Sequence, residues 1–199
     1  MKITEITGVL RCKVALCGDS AVGKTSLVSM YTSKGQKFPK LYTMTTGVDV
    51  VVAQVPIPDT TLIAELYMLD TSGSELYRES ISQYWNGVYY AMVVFDVTNA
   101  DSFESCKVWM DELKKMRLDK ERQIKGVLVA TKTDLPSQRH AVTLQSAQDW
   151  ATANGMDFFA TSSIPPGDNI ECPFVSLAKS FHKSYEEKLA GYLDACRNY

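Results

Sequence analysis

The octapeptide GDSAVGKT, residues 18–25, sets two glycines, a lysine and a hydroxyl in the order G-x-x-x-x-G-K-[ST]. Each residue type has a task if the ligand is a polyphosphate. Glycines let the backbone curl around a phosphate with its N–H groups turned inward. A helix opening directly afterwards aims its positive end at the same charge. Lys24 can supply a point charge to the outer phosphates, and Thr25 can place a hydroxyl on Mg2+. Asp19, Ser20, Ala21, Val22, Gly23, Lys24, Thr25 and Ser26 are therefore candidate nucleotide contacts. Gly23 reads as the least replaceable of the loop glycines, because a Cβ there would crowd the phosphates.

A phosphate loop does not select a base. TKTD, residues 131–134, offers a means of doing so directly after the apolar run KGVLVA. A carboxylate at Asp134 can accept from both the N1–H and N2–H2 groups of guanine, and adenine carries no such pair of donors. The aliphatic stem of Lys132 can lie over the base plane. TSS, residues 161–163, adds Ser162 and Ser163 as base-edge candidates through hydroxyl or backbone N–H. An ATP-dependent kinase fits less well, since no segment resembles a lid and Asp134 argues for guanine.

These motifs need a scaffold that brings strand ends together. Apolar runs read as strands at 13–17, 48–55, 62–70, 91–97, 125–131 and 156–161. PIPDTT supplies a turn between the second and third. Helical patterns fill the intervals. One opens near Gly23; one is capped by Asp101, with Glu104 three residues on, and runs to about Arg117; another is capped by Thr143 and ends at Asn154-Gly155. A long one runs from Pro173 towards the C-terminus with Phe174, Leu177, Ala178, Phe181, Tyr185 and Leu189 on one face. Its first half is expected to pack on the sheet, while the part beyond Tyr185 exceeds what a compact domain needs. The alternation predicts an α/β fold: a three-layer phosphate-loop architecture with about six mostly parallel strands, helices on both faces and one antiparallel edge hairpin. The boundaries are an N-terminal extension over 1–10, a domain over 11–190 and a tail over 191–199.

Composition agrees with a folded chain: 199 residues, 45% hydrophobic and 22% charged, exclude a disordered composition. A net charge of −2 without a basic block suggests no nucleic-acid surface. The five cysteines are scattered without a CxxC pair, which fits reduced thiols in a cytosolic protein. Cys196 stands fourth from the end, but the Arg197-Asn198-Tyr199 that follows lacks the aliphatic pair of a prenylation box, so no direct lipid anchor is expected. His140 and His182 have no acids or cysteines at ligand spacing and read as surface or helix residues, and IPPGDN (164–169) as a surface loop.

Taken together, GDSAVGKTSL, TTGVD (45–49), DTSGSE (70–75), WNGVYYAMVVFDVTNADSF (85–103) and TKTDL resemble the Ras-like small GTPases, the Rab branch in particular, over nearly the whole chain. YTMTTGVDVVV, the VPIPDT hairpin and ISQYWNGVYY look most like the Rab-like GTPase subunits of the intraflagellar transport B complex. The resemblance implies GTP or GDP with Mg2+ as cofactors. It implies that Thr45 binds Mg2+ and senses the γ-phosphate, that Asp70 holds Mg2+ through water, and that the Gly73 N–H contacts the γ-phosphate. Phe38 is expected to pack against the guanine. It also implies a small β-sandwich partner subunit among the neighbouring complex subunits, and a place in the cytoplasm, cilium or flagellum and basal body.

The chain departs from the family pattern at several positions. Thr131 stands for the usual asparagine, and Ile164 cannot supply the usual lysine contact. Ser72 replaces an alanine and is expected to add a hydroxyl beside the phosphates. Ser74 occupies the position of the glutamine that orients the attacking water, and serine is too short to reach it. Arg78 is the nearest candidate for an arginine finger in cis and reads instead as a solvated helix charge. The expectation is a switch that holds GTP·Mg2+ and hydrolyses it slowly. The alternative is a non-switching structural subunit whose nucleotide only stabilises the fold.

Overall fold

Side chains alternate across a strand, and β1 (Gly8–Cys17) uses the alternation to divide the core in two. Cys12, Val14 and Leu16 face one side, where they meet Leu27 and Val28 of α1 (Lys24–Thr32) and Phe174, Leu177 and Ala178 of α5 (Cys172–Arg197). Ala15 and Cys17 face the other, against Ile81 of the short helix α2 (Arg78–Ser82), Cys106, Trp109, Met110 and Leu113 of α3 (Ala100–Lys115), and Ala147 and Ala151 of α4 (Leu144–Ala153). This computed structural model describes residues 7–116 and 123–197.

Between the helical layers lie β2 (Val48–Pro56), β3 (Leu62–Thr71), β4 (Tyr90–Asp96), β5 (Lys125–Thr131) and β6 (Asp157–Ala160), in the order β2-β3-β1-β4-β5-β6. Only β2 and β3 pair antiparallel. This is the predicted three-layer sheet with its edge hairpin. All seven residues of β4 are buried, as suits a central strand covered on both faces. Among the described residues no helix is long and apolar enough to cross a membrane.

Two expectations shift. β1 begins at Gly8 rather than at residue 13, because its exposed first half pairs in register with β3, Gly8 opposite Leu62. The cap of α3 is Asn99 rather than Asp101. The Asn99 side chain accepts from the N–H groups of Asp101 and Ser102, and Asp101 falls in the first turn, where its charge still suits the helix dipole. The expected end of that helix at Arg117 lies outside the described residues. Thr143 caps α4 as predicted, accepting from the Ser146 N–H.

The parallel order places the ends of β1, β3, β4, β5 and β6 along one edge of the sheet. The candidate motifs follow those ends: residues 18–25 after β1, 71–75 after β3, 131–134 at the end of β5 and 161–163 after β6. Ligands of open parallel sheets bind at this carboxyl edge.

Candidate functional site

The loop between β1 and α1 is fixed by its backbone. Gly18 has φ +143°, and a Cβ there would stand 2.1 Å from the Val94 carbonyl oxygen, so β4 itself forbids a side chain. Gly23 was the glycine expected to be least replaceable, on phosphate crowding. Within the protein a Cβ at Gly23 would meet only the Thr131 side chain at 3.7 Å, and the left-handed φ of +101° adds a backbone constraint of its own. Ala21 also adopts a positive φ of 61°. Lys24 is buried, and its Nζ donates to the Gly18 and Asp19 carbonyls at 2.8 Å each. Burial pushes the pKa of this ammonium down, with Asp70 opposing the shift. Lys24 is thus a desolvated cation at the loop.

Thr25, Thr45 and Asp70 converge as expected. Thr25 Oγ1 donates to Asp70 Oδ2 at 2.6 Å and lies 3.2 Å from Thr45 Oγ1. The second carboxylate oxygen, Asp70 Oδ1, is buried without a hydrogen-bond partner among the described residues. Burial pushes the Asp70 carboxyl up, against the Thr25 bond and Lys24, which hold it down. Two hydroxyls and a carboxylate with an unsatisfied buried oxygen form a hard, oxygen-only donor set, the kind Mg2+ takes alongside waters and phosphate oxygens. These residues fit the ion.

A cavity of about 290 Å3 opens beside them, lined by Ser20, Ala21, Gly23, Lys24, Thr25 and Ser26. Phe38, Leu41, Tyr42, Met44 and Thr45 also line it, so Phe38 does reach the pocket, in the company of other apolar residues. Gly73 is also part of the lining; a Cβ on it would fall 2.2 Å from the Asp19 carbonyl carbon. The segment after β3 therefore lies directly on the phosphate loop. Ser74, the next residue, does not line the cavity; its backbone N–H donates to Ser72 Oγ at 3.3 Å. That bond corrects the expectation for Ser72. It is buried within the turn, with its own N–H on the Gly47 carbonyl at 2.8 Å, and it does not line the cavity.

The candidate base-edge residues form a second group. Asp134 is exposed, and its Oδ1 accepts from the Ser162 hydroxyl at 2.6 Å, which ties the two motifs together. Ser163 is buried, and its Oγ has no partner among the described residues. Thr131 faces away from this group. It is buried, and its hydroxyl lies 2.6 Å from the Val22 carbonyl and 2.9 Å from that of Phe95. It braces the phosphate loop from behind, as does the carbonyl of Val22 that receives it.

Two residues passed over in the sequence join the site. Asp96, at the end of β4, holds Lys132 Nζ at 2.6 Å. Its position at a strand end, like that of Asp70 at the end of β3 on the same edge of the sheet, was the available signal. Trp109 of α3 donates its indole N–H to the Asp19 carboxylate at 2.8 Å, so that side chain turns away from the cavity. Nothing in the spacing signalled this contact. Arg78 is not the solvated charge expected. Its guanidinium carbon lies 5.1 Å from the centre of the Trp109 ring, with Glu75 3.6 Å away, and it does not line the cavity.

Fold and loop together define an α/β phosphate-loop protein. The Ras family model matches residues 13–183, and the chain belongs to that family. Among its relatives is intraflagellar transport protein 27 of Chlamydomonas reinhardtii, 60% identical over 199 residues, covering all of this chain and 98% of the relative. The intraflagellar transport protein 27 homologue of Mus musculus is 44% identical over 180 residues, 90% of this chain and 95% of its own. That of Trypanosoma brucei brucei is 34% identical over 180 residues, 90% of this chain and 94% of its own.

Proposed function

We propose that this chain binds GTP and GDP with Mg2+, hydrolyses GTP slowly, and acts as a Rab-like subunit of an intraflagellar transport complex. The observation that carries the slow turnover is the contrast between neighbours. Gly73 lines the phosphate cavity, while Ser74 stays outside it. Bound Mg2+ would neutralise charge on the phosphate oxygens. Lys24 and the loop backbone bind and orient the same phosphates, and Thr45 and Gly73 report on the outermost one. Neither Ser74, which is short, nor Arg78, which is held on Trp109, is then placed to position water. Losing one positioning group costs on the order of tenfold or more in rate. Single-turnover GTP hydrolysis tests this, and a rate equal to that of a glutamine-bearing relative refutes it.

Similarity to proteins named for intraflagellar transport supports membership of such a complex, with the cytoplasm, cilium or flagellum, and basal body as its setting. We assign the small β-sandwich subunit of the B complex as the direct partner. The far half of α5 is the proposed contact, since Tyr185, Leu189, Tyr192 and Leu193 repeat at helical spacing and are 42%, 44%, 71% and 51% exposed. Copurification with that subunit, lost in a Leu189→Asp, Tyr192→Asp double variant of the full chain, checks the assignment.

The exposed stripe also favours a second reading, in which nucleotide only stabilises a scaffold. Partner affinity measured with GDP and with GTP separates the two. A difference above about tenfold, some 1.4 kcal/mol, supports the switch, and equal affinities support the scaffold.

A further inference from the structure

Asp96 has a full set of partners, though the nucleotide reading gives it no task. It is 8% exposed at the end of β4. Its Oδ1 accepts from the Thr98 N–H at 2.9 Å and the Thr98 hydroxyl at 2.7 Å, and its Oδ2 takes Lys132 Nζ at 2.6 Å. Three donors fix the carboxylate before any ligand arrives.

Lys132 is as constrained as its partner. Its backbone is left-handed, with φ 61°, a conformation that a long side chain adopts only when its surroundings impose it. Its carbonyl accepts from the Leu135 N–H at 3.1 Å, and Thr133 N–H reaches the Thr161 carbonyl at 3.3 Å. The turn that carries Asp134 is therefore pinned both to the residue that follows β6 and to itself. The remaining freedom is in the four-carbon stem of Lys132, which would otherwise spread over many rotamers. The Asp96 ion pair removes it.

We propose that Asp96 is a positioning residue for base recognition. Through its ion pair it holds the Lys132 stem as a fixed plate beside Asp134, so the base meets a surface already formed. The inference rests on the guanine-nucleotide reading above. Asp96 touches no part of the nucleotide. Its effect comes from preorganisation, which favours binding by removing the ordering cost from the binding step.

Dissociation of fluorescent GDP from the full chain tests it. Asp96→Asn keeps the volume and an oxygen for Thr98 but loses the charge. Lys132→Met keeps most of the stem but loses the ammonium. Each is expected to speed release about fivefold, the scale of a partly exposed ion pair, and the double variant is expected to release no faster than the faster single variant. Multiplying effects, or an unchanged rate in Asp96→Asn, overturn the inference while leaving nucleotide binding intact. Absence of binding by the wild-type chain overturns both. Should Asp96→Asn not fold, Lys132→Met is compared with Lys132→Ala. Equal losses support an anchored stem, and wild-type behaviour of Lys132→Met overturns it.

Discussion

The indole N–H of Trp109 donates to the Asp19 carboxylate at 2.8 Å, joining α3 to the phosphate loop. The same ring carries the Arg78 guanidinium on its face, so one buried side chain touches both the loop and the segment after β3. Trp85 packs against its edge, with ring centres 6.2 Å apart. We predict that Trp109→Phe destabilises the protein by about 2 kcal/mol, from lost volume and an unpartnered Asp19 carboxylate. Urea denaturation measures it. An unchanged midpoint means that the contact contributes nothing.

Thr131 makes a different prediction, since its hydroxyl serves the Val22 and Phe95 carbonyls with one proton. Thr131→Val preserves shape and leaves both carbonyls unserved in a buried place. We expect a loss of about 1–2 kcal/mol and faster GDP release, because Val22 lies within the phosphate loop. Unchanged guanine-over-adenine preference is part of the prediction. A variant that binds ATP as well as GTP would place Thr131 at the base instead.

Gly73 lies where a Cβ would come 2.2 Å from the Asp19 carbonyl carbon and 2.3 Å from the Ser20 nitrogen. Neither backbone atom can give way cheaply. Gly73→Ala is expected to push the segment after β3 off the loop and to weaken GTP more than GDP, by about tenfold, since only GTP has the outermost phosphate. Equal affinities for the two nucleotides in this variant would remove Gly73 from γ-phosphate sensing.

The thiols divide by burial. Cys172 and Cys196 are exposed, whereas Cys12, Cys17 and Cys106 are buried. A thiol reagent at pH 8 should modify the exposed pair rapidly and the rest only on unfolding. Burial pushes the Cys17 thiol up to about 12. The folded protein thus keeps a proton that the unfolded chain releases in the ordinary thiol range. The Cys17 contribution to stability is complete below that range and is lost as pH rises towards about 12. Wild type should therefore lose more stability than Cys17→Ala between pH 8 and 11. Parallel pH profiles would contradict the assignment.

Much of the fold and the phosphate site was legible because the motifs carry their own context. A strand, a glycine loop and a helix in order specify residues 18–25, and six apolar runs specify the sheet. The cap of α3 was misplaced by two residues because Asn99 and Asp101 are equally good acceptors in type, and only the entry path of the chain decides between them. The strand start at Gly8 was hidden because its outer half, Gly8-Val9-Leu10-Arg11, is only partly buried and is broken by a glycine and a charge. The Asp96–Lys132 pair, the Trp109–Asp19 contact and the burial of Ser72 were not visible, since each depends on contacts between elements distant in sequence. That the Thr131 hydroxyl meets the loop backbone at Val22 was likewise not visible in the motif.

The central claim concerns Ser74, which stands beside the cavity without lining it. Single-turnover hydrolysis of GTP by wild type and by Ser74→Gln tests it most directly. A side chain long enough to orient water is expected to raise the rate by about tenfold or more, with GTP affinity unchanged. A wild-type rate equal to that of Ser74→Gln would contradict the account.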